Sequence, residues 1–263
     1  MTRIAALSTA MLLLALELGA QAPKATDPDT AAPGGARAIP PQESLLYAAK
    51  FGLLRVGEAR TMTLGIDTIR GIPSLHIRFV LKGGTFFYPL HDQMDSWVGL
   101  DDFASRRFVQ DFDEGGKKRQ SSYEIFPDSG GYRQSGSDSL LPASRDPLDD
   151  AAFFYFVRTV PLEPGKRYEF PRYFRPDRNP VVLEVIGRDT IDVPAGRFPT
   201  LLVRPIIKGR GIFAEKAEAR MWISDDPRRL MVQLKSKFVF GTITLALAKT
   251  EADAKPEPER SGR

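Results

Sequence analysis

Residues 75–82 read Leu-His-Ile-Arg-Phe-Val-Leu-Lys, and this stretch decides the fold class. Apolar side chains occupy every second position, with polar side chains between most of them. Because successive side chains of a strand point to opposite faces, this period of two predicts a half-buried β-strand. The same alternation recurs at 61–66, 181–185, 231–235 and 242–247.

Turn sequences separate these alternating stretches. Asp-Glu-Gly-Gly at 113–116 and Asp-Ser-Gly-Gly at 128–131 are typical of hairpin connections, because aspartate and glycine accept the backbone angles of tight turns. About a dozen strands follow from this pattern. The sequence therefore predicts a mainly all-β fold. We expect a curled antiparallel meander sheet that forms a barrel or half-barrel with one buried helix.

One segment departs from the period of two and predicts that helix. Asp146 is suited to the N-cap and Pro147 to the first helical position, because the missing N–H of proline would be unpaired there. Residues 151–157 are apolar on every side, which predicts burial against the sheet. Pro161 ends the helix.

The N-terminus has the pattern of an export signal. Arg3 precedes a mostly apolar run at 4–16, and Ala20 and Ala22 are the small residues that a signal peptidase reads. We expect a signal peptide at 1–22, cleaved after Ala20 or Ala22, and a periplasmic or secreted protein. The alternative is an N-terminal anchor, but the apolar run is shorter than the ~20 residues that a spanning helix needs.

Composition divides the remaining chain into three parts. Residues 23–42 are rich in proline, alanine and glycine and predict a disordered linker. Residues 43–249 form a single β-rich domain, and residues 250–263 a disordered charged tail. The mature chain is not expected to span a membrane.

Composition also excludes several chemistries. The chain has no cysteine, so thiol catalysis, thiolate metal sites and lipid attachment at a lipobox cysteine are excluded. Its 37 Lys+Arg and 33 Asp+Glu give a net charge of only +4, which argues against a nucleic-acid partner.

Several short motifs carry a family resemblance when they are taken in order. They are Leu-Tyr at 46–47, Gly-Leu at 52–53, Val-Gly-Glu-Ala at 56–59, Asp-Pro-Leu-Asp-Asp at 146–150, Phe-Val-Arg at 156–158, Val-Pro-Ala-Gly-Arg-Phe at 193–198, Met-Trp-Ile-Ser-Asp-Asp at 221–226 and Phe-Gly-Thr-Ile at 240–243. Over residues 43–249 the chain resembles the bacterial family catalogued as domain of unknown function 3108. The resemblance implies an exported β-rich protein and brings no activity, cofactor or catalytic residue. The expected fold is also similar in outline to the periplasmic lipoprotein-carrier half-barrels, by fold analogy alone.

The search for an enzyme finds no catalytic motif. The chain has no nucleophile elbow, phosphate loop or His-Glu-x-x-His zinc motif. His91 lies beside Asp92 and near Asp95, and adjacent aspartates occur at 101–102, 149–150 and 225–226. Such groups serve acid–base chemistry or turn structure, and we favour turn structure. We therefore predict no enzyme, no catalytic or metal-binding residues and no cofactor, with a hydrolase as the third functional possibility.

Aromatic residues suggest a binding site. Phe86, Phe87 and Tyr88 follow two glycines, and Phe153 and Phe156 lie on the predicted helix. Between a curved sheet and a helix they could line an apolar cavity, although a filled core is the alternative. We predict a non-catalytic carrier or binding domain for a lipid-like or cell-envelope ligand. The second possibility is a structural or assembly factor of the envelope without a small ligand.

Basic clusters leave a further choice open. They lie at 106–107, 117–119, 208–210 and 228–229. Such clusters fit either anionic lipid headgroups or solvated strand edges, and the interleaved acidic residues favour solvated edges.

Overall fold

The computed structural model describes residues 35–85, 88–209, 212–238 and 241–251. Over these residues the chain forms fourteen β-strands, one α-helix and three short 3-10 turns. They are, in chain order, a 3-10 turn (Ala36–Ala38), β1 (Gln42–Phe51), β2 (Leu54–Ile69), β3 (Ile72–Thr85), β4 (Tyr88–Gly99), β5 (Ser105–Glu114), β6 (Lys117–Phe126), β7 (Gly131–Gln134), β8 (Leu141–Pro142), α1 (Asp150–Thr159), β9 (Arg167–Phe170), a 3-10 turn (Pro176–Arg178), β10 (Val181–Val193), β11 (Gly196–Ile206), a 3-10 turn (Glu215–Ala217), β12 (Arg220–Ser224), β13 (Met231–Phe238) and β14 (Gly241–Glu251). The predicted signal peptide and residues 252–263 lie outside the described residues, so both assignments stay predictions. The first two residues of the predicted tail, Thr250 and Glu251, belong to β14 instead.

All fourteen strands belong to one antiparallel sheet, in the order β8-β7-β6-β5-β4-β3-β2-β1-β14-β13-β12-β11-β10-β9. β1 to β8 form one meander, and β9 to β14 form a second. β1 pairs with β14, from Ser44 opposite Glu251 to Phe51 opposite Ile243, and this pairing joins the two meanders. The predicted all-β meander sheet with one helix is therefore confirmed.

The sheet curls but does not close. β8 and β9 lie at its two ends and do not pair with each other in the described part of the chain. Backbone hydrogen bonds cross the gap instead: Leu148 N donates to Arg172 O, and Phe174 N donates to Leu148 O at 2.8 Å. The Arg172 guanidinium adds bonds to the carbonyl oxygens of Asp146 and Asp102. These contacts hold the two ends of the sheet together.

Several strands are longer than the alternating pattern predicts. β2 has 16 residues, β3 has 14 and β10 has 13. In β10, residues 181–185 face the core, whereas residues 186–193 are mostly exposed. Because alternation requires one buried face, the pattern marks only the part of a long hairpin that lies on the core.

Helix α1 begins after the predicted start at Pro147. Its N-cap is Asp149, not Asp146: Asp149 Oδ1 accepts hydrogen bonds from the amides of Ala151 and Ala152, both at 2.9 Å. Asp146 has a left-handed φ of 47°. The carbonyl of Pro147 accepts a hydrogen bond from β5. Contacts with the neighbouring strand therefore hold the predicted cap segment outside the helix.

The helix fills the space inside the curl, and its predicted burial is confirmed. Residues 151–158 are all buried. The ring of Phe154 stacks on Phe79 of β3 at 5.0 Å, and Phe156 packs edge-on against Phe170 of β9 at 5.1 Å. One core is thus shared by both meanders.

The last residues of the predicted linker 23–42 pack on the sheet. Ala36 and Ile39 are buried, and Arg37 N donates to Leu100 O at 3.2 Å. This short stretch belongs to the domain, whereas residues 23–34 lie outside the described residues.

Candidate functional site

The space between helix and sheet, where a ligand site was predicted, is filled by protein. Phe153 and Phe156 are 1% and 0% exposed. The ring centre of Phe153 lies 4.7 Å from that of Phe213, and the ring of Phe156 contacts Phe170 and Phe103. In the described residues these two side chains belong to the packed core.

A small cavity remains beside the helix. Its volume is about 10 Å³. A space of this size holds about one water molecule and no acyl chain. Its lining residues are Leu45, Tyr47, Thr61, Phe154, Tyr155, Arg158 and Met231. A lipid-like ligand therefore needs another place on the described domain.

The predicted aromatic binding residues at 86–88 fall at a gap in the described chain. Phe86 and Phe87 lie outside the described residues. Tyr88 begins β4, but its side chain also lies outside the described part. The role of these three residues in binding stays a prediction.

An exposed apolar turn lies at one end of the sheet. At this end β1, β3, β5 and β13 finish and β2, β4, β6 and β14 begin, and we call it the Leu53 end. Gly52 has a left-handed φ of 58°, which glycine adopts readily, and the turn projects Leu53 and Leu54 outward. Leu53 is 98% and Leu54 72% exposed, more than the other large apolar side chains of the described residues. Two adjacent leucines held in water mark a surface suited to an apolar partner.

The inner wall of the Leu53 end is apolar and incompletely buried. Val56, Leu81 and Phe112 pack on the edge of the core without being fully covered. Gly57 and Gly83 face each other across β2 and β3, and a Cβ on either would lie within 2.2 Å of the opposite backbone. The two strands approach too closely for any other residue, so the wall carries no side chain at these positions.

Asp92 places a carboxyl group in this apolar wall. It lies in register between Leu81 of β3 and Phe112 of β5. Burial raises the pKa of Asp92 to about 6; repulsion from Glu114 adds to this shift and Arg119 opposes it. Asp92 Oδ1 is buried and accepts no hydrogen bond from the described residues. The Leu53 end therefore contains an acid that titrates near pH 6.

The histidine that contacts Asp95 is His76, not His91. His76 Nε2 lies 2.6 Å from Asp95 Oδ1, and His76 Nδ1 lies 3.5 Å from Asp67 Oδ2. Its ring stacks on Trp97 at 4.2 Å. His91 is exposed, and Asp95 lies four residues further along the same strand, about 13 Å away. His91 and Asp95 therefore do not form an acid–base pair.

The adjacent aspartates hold local structure. Asp102 pairs with Arg106 at 2.8 Å, Asp226 pairs with Arg228 at 2.8 Å, and Asp149 caps the helix. No group of three His, Asp or Glu side chains in the described ranges could hold a metal ion. Within the same ranges, no helix is both long and apolar enough to cross a membrane.

The open, curled antiparallel sheet around one buried helix defines a mainly β class of protein with a solid interior and an apolar end. The chain belongs to the family described as "Protein of unknown function (DUF3108)", which matches residues 46–248. The resemblance carried by the ordered motifs is therefore confirmed.

Three solved structures are similar to the chain in outline. They are a β-barrel-like protein of domain of unknown function DUF1849 from Brucella abortus (9% identity, 80% of this chain and 97% of that chain covered, TM-score 0.47), a candidate lipoprotein from Parabacteroides distasonis (10%, 81% and 98%, 0.36) and a hypothetical protein from Chlamydia trachomatis (8%, 84% and 93%, 0.29). No curated protein matches the sequence.

Proposed function

We propose that this chain is a non-catalytic, exported binding domain that attaches to lipid of the cell envelope through its Leu53 end. The observation that carries the proposal is the exposure of Leu53 and Leu54 at the tip of the β1–β2 hairpin. A membrane surface would cover both side chains without any change in the packed core.

The energetic argument is the burial of apolar surface. Moving one fully exposed leucine out of water is worth about 1.5–3 kcal/mol. A hairpin holds its tip residues in place before binding, so little further ordering is needed. Surface attachment also suits a domain in which the cavity beside the helix measures only about 10 Å³.

A non-catalytic role fits the side chains that could carry chemistry. Both ring nitrogens of His76 face carboxylates, which leaves neither one directed at a substrate. Asp102 and Asp226 are held by arginines, and Asp149 caps the helix. The half-buried Asp92 remains, at an apolar wall suited to binding.

Co-sedimentation of the purified chain with phospholipid vesicles tests the proposal. We expect wild type to bind and Leu53→Ser/Leu54→Ser to bind at least about tenfold more weakly, since tenfold corresponds to only about 1.4 kcal/mol. Ile186→Ser is the matched control, because Ile186 is 57% exposed on the distant β10.

Two results would contradict membrane attachment. Wild type could fail to bind vesicles, or the double serine variant could bind as tightly as wild type. If the chain is instead a structural or assembly factor of the envelope, the same leucines contact a protein. The chain then does not bind vesicles. Thermal unfolding of the variants checks that folding is unchanged.

A further inference from the structure

Two cations oppose each other at the base of the leucine turn. Lys50 of β1 is the cross-strand partner of Arg55 of β2, and both are exposed. Like charges directly opposite each other in a hairpin are destabilising. Neither cation forms an ion pair with a carboxylate of the described residues. The hairpin therefore carries a charge arrangement that an anion would stabilise.

The cross-strand row that contains Arg55 and Lys50 continues onto the second meander. Lys50 lies opposite Thr244 of β14, and Thr244 lies opposite Lys235 of β13. The row thus presents a guanidinium, two ammonium groups and a hydroxyl on four adjacent strands spaced about 4.8 Å apart. It faces outward, since Leu245, next to Thr244 on its strand, is buried. These four groups are hydrogen-bond donors of the kind that bind phosphate oxygens.

The β5–β6 hairpin, which lies at the same end of the sheet on the far side of β3 and β4, provides a contrast. There Asp113 lies opposite Lys118 and Glu114 lies opposite Lys117, so each charge is matched. Its turn is made of two glycines and presents no apolar side chain. Unmatched cations and exposed leucines therefore occur together on the β1–β2 hairpin.

We infer that Arg55, Lys50, Thr244 and Lys235 bind the phosphate of an anionic lipid headgroup when the leucine turn enters the bilayer. This inference rests on the proposed membrane attachment. Lys50 and Arg55 lie one position along the strands from Phe51 and Leu54, the last pair before the turn, which is about 3.4 Å. Apolar groups of surface-bound proteins enter the bilayer by about 5–10 Å, so the cation row reaches the headgroup level. Nearby Glu58 faces Lys82 across the strands, which matches its charge.

The test compares vesicles of phosphatidylcholine alone with vesicles that also contain phosphatidylglycerol. We expect wild type to prefer the anionic vesicles by at least about tenfold, since each cation near such a surface contributes about fivefold. Lys50→Gln/Arg55→Gln should lose this preference and keep its binding to phosphatidylcholine. Lys117→Gln/Lys118→Gln removes the same charge from the β5–β6 hairpin and should keep the preference.

The outcomes separate the headgroup site from membrane attachment itself. Equal binding of wild type to both vesicles would overturn the headgroup site and leave the leucine attachment standing. An equal loss in both double variants would also overturn it, because general charge attraction would then explain the preference. If wild type binds neither vesicle, the proposed function fails and the headgroup site fails with it.

Discussion

Asp149 is buried inside the curled sheet, where it both caps the helix and contacts β4. Its Oδ1 accepts the amides of Ala151 and Ala152, and its Oδ2 contacts Ser96 Oγ at 2.6 Å. Burial is the largest influence and raises the pKa of Asp149 from 3.8 to about 7. The folded state therefore favours the protonated acid, whereas the unfolded chain releases the proton near its ordinary pKa.

The raised pKa of Asp149 gives stability a predictable pH dependence. Below about pH 4 both states hold the proton and the contribution is fully present. As pH rises from about 4 to about 7, it is lost, on the order of 4 kcal/mol in total. We expect Asp149→Asn, which keeps a cap side chain, to make urea-unfolding stability fall less steeply over this window, with the raised pKa of Asp92 contributing to the slope that remains.

A matched control is Asp146→Asn, at the exposed residue that the sequence pattern indicated as the cap. Its pH profile should follow wild type. Parallel profiles for wild type and Asp149→Asn would show that Asp149 does not titrate in this window.

Helix α1 packs against both meanders of the open sheet. Phe156 lies against Phe103 in the β4–β5 turn, against Phe170 of β9 and under the Arg172 guanidinium at 5.1 Å. Because the ring is fully buried, Phe156→Ala should lower the free energy of unfolding by about 3–5 kcal/mol in urea denaturation. Leu53→Ala, at the exposed turn, should change it little. Equal stability of Phe156→Ala and wild type would mean that the helix does not support the core.

The helix shows how far local sequence determines an element. Its apolar composition predicts burial, because a helix that is apolar on every side has no face suited to water. Its start is not local: Pro147 is held by a bond from β5 and Leu148 by bonds from the segment after β9. An Asp-Pro pair fits a helix start, but strand contacts distant in sequence decide where the helix begins.

The sequence alone does not predict most of the candidate site, because the site also depends on the three-dimensional arrangement of the chain. Leu53 and Leu54 look like any apolar pair until the turn at Gly52 places them in water. Lys50 and Arg55 oppose each other only through the hairpin register. In two of the basic clusters that stand out in sequence, arginines pair with carboxylates: Arg106 with Asp102, and Arg228 with Asp226.

At the scale of the whole molecule, the period of two predicts the strands but not how the two meanders meet. β1 and β14 pair with each other although they are the first and last strands in the sequence. Alternation alone does not identify a strand's partner. Alternation also does not decide between a closed barrel and an open half-barrel. The answer depends on Arg172 and the short segments that bridge β8 and β9.

The shared core predicts that both meanders unfold together. Phe154 of the helix lies between Phe79 of β3 and Phe213 of the second meander, at 5.0 and 5.4 Å. Each meander also contains one of the chain's two tryptophans, Trp97 in β4 and Trp222 in β12. Trp97→Phe and Trp222→Phe therefore each leave a single tryptophan. Its fluorescence reports on one meander and can be compared with the far-UV circular dichroism of the same variant. Because neither meander has a core of its own, we expect the two signals to coincide in each variant during urea denaturation. A tryptophan transition at lower urea than the circular dichroism transition, in either variant, would show that one meander unfolds independently.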